Sequence, residues 1–123
     1  MPARPKLYLR SYPIPDGMDV FGSLYLAASA TSRLELGTAV TNLLTRHPAV
    51  IASSFATLHH VSGGRAHIGV GRGDTALELV GIKPPSTGRF GALLGELQAY
   101  LRGSGNRRRR RFPEPHKLVA GKG

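Results

Sequence analysis

Between Leu34 and Gly71 the chain writes a strand, a helix and a second strand with almost no slack. "RLELGTAV" alternates at Leu34 and Leu36 and then turns small and β-branched, which predicts a strand over 34–41. Pro48 stands where a first helical residue belongs, since its missing N–H is not needed there. Behind it, Val50, Ile51, Phe55, Leu58 and Val61 form one apolar face at helical spacing. Gly63 and Gly64 end that helix, and "RAHIGVG" reads as a strand over 65–71. A strand, a crossover helix and a strand in this little chain implies parallel pairing with a right-handed connection. In parallel α/β folds chemistry gathers at the carboxyl ends of the strands. Here those ends are "TAVTN" and "GRGD", so both polar stretches belong on one edge of one sheet.

The same alternation extends on both sides. Asp19 is an N-cap candidate, and Val20, Leu24, Ala27 and Ala28 predict a helix over 20–32. "DTALELVGI" reads as a short helix capped by Asp74, and "GRFGALLGELQAYLRG" as a longer one with Phe90, Leu93, Leu94, Leu97 and Leu101 on its face. Ahead of Asp19, residues 1–18 carry Pro2, Pro5, Pro13, Pro15 and Gly17 and mark an irregular lead-in, within which Lys6 to Arg10 suits an edge strand. Residues 19–103 are expected to form the α/β segment, and 104–123 a basic, disordered tail.

Charge restricts function less than its total suggests. The net charge is +10, but Arg107 to Arg111 is one uninterrupted run and Phe112 is the aromatic beside it. A like-charge block of this kind is more often a solvated tail than a reader of nucleic acid, and stacking residues are missing. A small basic module contacting nucleic acid through that tail is kept as the alternative reading. With 0 cysteines there is no disulfide or thiolate metal site. No run approaches the roughly 18 apolar residues that span a membrane. The N-terminus lacks the apolar core of a signal peptide, so a cytoplasmic protein is expected.

Motifs for side-chain catalysis do not assemble. Gly71-x-Gly73-x-x-Ala76 matches a dinucleotide fingerprint after a strand, but the acid that should close a second strand is absent, and Glu96 falls in a helix. His47, His59, His60 and His67 lack the spacing of metal ligands and read as cap or surface residues. Ser29, Ser53, Ser54 and Ser62 are outside any nucleophile elbow, and Glu35, Asp74 and Glu78 form no carboxylate pair. A binding edge without a catalytic side chain suits a redox cofactor, which brings its own chemistry.

"ATSRLELGTAVTN", "TRHPAVIASSFATLHHVSGGRAHIGVGRGD" and "LVGIKP", in this order, resemble the luciferase-like monooxygenase family. The likeness is strongest to its deazaflavin-dependent branch, including methylenetetrahydromethanopterin reductase-like enzymes, and covers Asp19 to Gly103. The resemblance implies an α/β fold, a partial TIM (β/α)8 barrel, and a flavin or deazaflavin across its mouth, either coenzyme F-420 or FMN. It implies a bulge with a cis peptide near Ala39–Val40 and cofactor contacts at Thr38, Ala39, Val40, Thr41, Asn42, Arg72, Gly73 and Asp74. Catalytic residues are not assigned. It further implies hydride transfer or monooxygenation of a small organic substrate in full-length homologues. A whole barrel takes roughly 250 residues, so a truncated barrel, inactive alone, is expected, with an Arg-rich ending of the kind a shifted reading frame produces. Open strand edges and a half-covered apolar interior then invite self-association.

Overall fold

The computed structural model describes residues 3–11 and 19–103. The 104–123 tail, the first two residues and the 12–18 part of the lead-in lie outside these residues. Seven elements follow in order: β1 (Lys6–Leu9), α1 (Val20–Ala30), β2 (Glu35–Thr41), α2 (Pro48–Val61), β3 (Ala66–Val70), α3 (Asp74–Leu79) and α4 (Thr87–Leu101). The strands form one sheet in the order β1-β2-β3, and both pairings are parallel. Although the sequence marks 1–18 as an irregular lead-in, Lys6–Leu9 is a strand of this sheet, with Lys6 opposite Glu35 and Leu9 opposite Thr38.

Helix ends follow local chemistry. Asp19 caps α1 by accepting from the Gly22 amide at 2.8 Å. Pro48 opens α2, and His47 caps it, its Nδ1 accepting from the Ala49 amide at 3.0 Å. Beyond α2, Gly63 and Gly64 both take positive φ, as a chain turning away from a helix requires. Ser86 caps α4 by accepting from the Arg89 amide. α3 departs from expectation: Asp74 is its first residue, not its cap. Gly73 is the cap, in a left-handed conformation and without a side-chain hydrogen bond. Asp74 instead places its charge in the first turn, where the helix dipole favours an anion.

Strand alternation decides which face is covered. Leu7, Leu9, Leu36, Ile68 and Val70 turn toward the helices and join Leu24, Ile51, Leu58 and Leu97 in one core. Each fully buried leucine contributes about 1.5–3 kcal/mol by leaving water. The opposite sheet face is polar, not the apolar interior expected from the sequence. Tyr8, Gly37 and His67 sit side by side across the three strands, and the Tyr8 and His67 rings meet edge-on at 6.4 Å. His67 Nε2 also lies 3.9 Å from Glu35 Oε2.

The amino edge of the sheet is fastened by Arg65, which is 7% exposed. Its Nε donates to the Ser62 carbonyl, while its two terminal nitrogens donate to the Ala28, Thr31 and Leu34 carbonyls and the Thr31 hydroxyl. The distances run from 2.6 to 3.0 Å. The Ala28, Thr31 and Ser62 acceptors lie at the carboxyl ends of α1 and α2, where helix dipoles favour a cation, and the Leu34 carbonyl directly precedes β2.

Candidate functional site: a cleft at the carboxyl edge of the sheet

β2 does not run regularly to its end. Thr38 pairs with Ile68, but Thr41 pairs with Val70, so β2 spends one residue more than β3 over the same span. The peptide bond between Ala39 and Val40 lies inside this bulge and is cis. Thr38 repairs the ladder where the bulge interrupts it. Its hydroxyl donates to the Gly69 carbonyl at 2.9 Å and accepts from the Gly69 amide at 3.0 Å. Past the bulge, β2 is held from both sides. The Ser11 amide donates to the Val40 carbonyl, and the Gly71 amide to the Thr41 carbonyl.

The bulge turns Val40 outward. Its side chain lies across the "GVG" of β3: a methyl group placed on Gly71 would come within 2.9 Å of Val40 Cγ2. The glycine there keeps room for that approach. Val40 remains 46% exposed and forms an apolar wall. Above it opens a cleft of about 380 Å³, lined by the ends of all three strands and the start of α3. That size is within the range of small-molecule sites.

Of the eight residues the sequence assigns to the site, seven line this cleft: Ala39, Val40, Thr41, Asn42, Arg72, Gly73 and Asp74. Thr38 does not. It is 3% exposed and its hydroxyl is used inside the sheet. Sequence reasoning missed Arg10 and Ser11, which form the wall beyond β1, and Gly71, Thr75 and Ala76. The signal for the first two was the Lys6 to Arg10 strand itself: in a parallel sheet its carboxyl end must join the same edge.

Polar groups at the cleft divide into fixed and unpartnered. Asn42 Oδ1 accepts from the Leu44 amide, the Thr45 amide and the Thr45 hydroxyl, closing the turn after β2. Its Nδ2 and the Thr41 Oγ1 are buried without a hydrogen-bond partner. Arg72 lies 3.9 Å from Asp74, both well exposed. Gly73, at φ 85°, rests on Asn42: a Cβ there would be 2.5 Å from the asparagine Cβ. The β2 and β3 ends are thus packed together at this point.

Among the described residues, no group of three or more histidines and acids is placed to hold a metal ion, and no helix is long and apolar enough to cross a membrane. The Arg107 to Arg111 run, on which the nucleic-acid alternative stood, lies outside the described residues.

The chain is similar to known proteins. The luciferase-like monooxygenase family profile matches residues 8–114, beginning within β1 and passing Gly103, a wider stretch than the resemblance first covered. The 5,10-methylenetetrahydromethanopterin reductase of Methanopyrus kandleri is 56% identical over 55 residues, 45% of this chain and 16% of that protein. The 4-hydroxyprotoasukamycin monooxygenase of Streptomyces nodosus subsp. asukaensis is 42% identical over 65 residues, 51% of this chain and 18% of that one. The structure of the coenzyme F-420 dependent tetrahydromethanopterin reductase from Methanopyrus kandleri superposes with a TM-score of 0.68 at 30% identity, covering 79% of this chain and 31% of that chain. The three parallel strands and their helices therefore correspond to part of a luciferase-like TIM barrel. The chain spans 16% and 18% of the length of these two curated relatives. With the family match running from 8 to 114 in a chain of 123 residues, the chain belongs to the luciferase-like monooxygenase family.

Proposed function

We propose that this chain is the part of a luciferase-like oxidoreductase that holds one face of a flavin-type ring, with deazaflavin F-420 or FMN as the cofactor. The supporting observation is that the outward Val40 of one strand and the Gly73–Asp74 turn of the next open onto a single cleft. The residues present fit such a group. Ala39 and Val40 offer an exposed apolar wall against which a flat ring can lie. Thr41 and Asn42 bring polar atoms that have no partner in the protein, and Arg72 and Asp74 supply charge at the rim. When bound, the ring supplies the redox chemistry, exchanging hydride with a small organic substrate or activating oxygen for its monooxygenation. The side chains of this segment bind the ring, orient it and keep water from the covered face. The remaining contacts of an active enzyme belong to barrel strands beyond these three.

Titration with FMN or deazaflavin F-420 tests this reading by following ring fluorescence. Binding is expected to change the emission. Gly73→Val should remove the change, because its side chain has no space above Asn42 and the backbone there is left-handed. An emission spectrum that the native chain leaves untouched for both cofactors sinks the reading.

A further inference from the structure

The three strand ends give the cleft two unlike sides. Val40 leans toward β3: a Cβ on Gly69 would lie 3.4 Å from its Cγ1, and one on Gly71 2.9 Å from its Cγ2. The apolar wall against which a flat ring can lie therefore belongs to β2 and β3. The β1 side is polar and is formed by Arg10 and Ser11. Leu7 and Leu9 pack against the core, so strand alternation sets Tyr8 and Arg10 on the face away from the helices. Arg10 is exposed, and its backbone is held beside the bulge: the next residue, Ser11, donates its amide to the Val40 carbonyl at 3.2 Å.

Charge separates the two sides further. The cleft lining carries two arginines, Arg10 and Arg72, against one acid, Asp74. Asp74 stands 3.9 Å from Arg72, on the β3 side. With β2 between them, β1 and β3 run about 10 Å apart, so Arg10 and Arg72 rise from opposite sides of the cleft. A guanidinium is a planar fork of donors that matches a carboxylate or a phosphate. We infer that Arg10 is a specificity-determining residue: it holds the carboxylate or phosphate of a small anionic substrate on the β1 side, while the ring lies on Val40. This substrate class rests on the ring reading above and adds the charge of the molecule that the ring meets.

The test uses the full chain loaded with FMN or deazaflavin F-420 and follows ring emission as a second molecule is added. Benzoate and benzamide share a shape and differ in charge. Benzoate should bind about fivefold more tightly, the effect of one partly solvated ion pair. Arg10→Gln should bring the two to within about twofold of each other. If the variant does not fold, the native chain still decides: the Arg10 Nε–H resonance should shift in NMR spectra with benzoate and stay in place with benzamide. Equal binding of the two probes to the native chain, or a benzoate preference that survives Arg10→Gln, overturns the inference and leaves the ring reading standing. So does an Arg10→Gln chain that binds the cofactor about fivefold more weakly but its phosphate-free parent as before, since the arginine then serves the cofactor's own phosphate. A native chain that binds neither cofactor removes the ring reading and the inference with it.

Discussion

The two edges of the sheet treat polar groups in opposite ways. At the amino edge, Arg65 buries a full charge and gives it acceptors on every side. At the carboxyl edge, Thr41 and Asn42 are just as buried and leave donors unmet, while Val40 stands open to solvent. Satisfying one rim and not the other has a physical meaning. Hydrogen bonding at the amino edge is spent on the fold, tying two helix ends to two strand starts. The groups at the carboxyl edge are fixed in place but not used up, which is the state expected of a binding surface.

Substitutions can break or sharpen this contrast. The largest effect belongs to Arg65→Met, which takes the side-chain donor from four carbonyls, those of Ser62 and Ala28 at buried bonds and those of Leu34 and Thr31 at part-buried ones. Stability should fall by about 3 kcal/mol or more in a denaturant titration. A loss below about 1 kcal/mol would mean that this rim is no clamp. Val40→Ala should separate stability from binding. Because the side chain is half exposed, unfolding should move by less than about 0.5 kcal/mol. Ring affinity should fall by about 1 kcal/mol, or about fivefold, for the apolar contact removed. The smallest effect is expected from Asp74→Asn. Its ion pair with Arg72 is long and solvated, so stability should change by no more than about 0.5 kcal/mol. A larger loss there would make the carboxyl edge structural after all.

The βαβ centre was legible because each boundary had a local cause. Pro48 starts α2, and Gly63 and Gly64 end it at positive φ. Other features depend on distant partners and left no local trace. Asp74 looked like a cap, but the left-handed Gly73 takes that position because it must lie against Asn42 on another strand. Thr38 is named for the site by the family resemblance, and its place in the ladder depends on β3. At the bulge its hydroxyl bonds the Gly69 amide and carbonyl. Arg10 and Ser11 were hidden by a proline-rich lead-in, since only the pairing of β1 with β2 brings them to the mouth. The open face was expected to be apolar. Tyr8, Glu35 and His67 meet there through strand register, which no single strand reveals.

Arg65 precedes β3 and Gly71 follows it, so a strand of five residues, about 16 Å of chain, separates clamp from mouth. Changes that far apart and without shared partners add nearly independently. Natural variation can therefore rewrite which molecule the mouth admits, one residue at a time, while the opposite rim keeps every trial sequence folded.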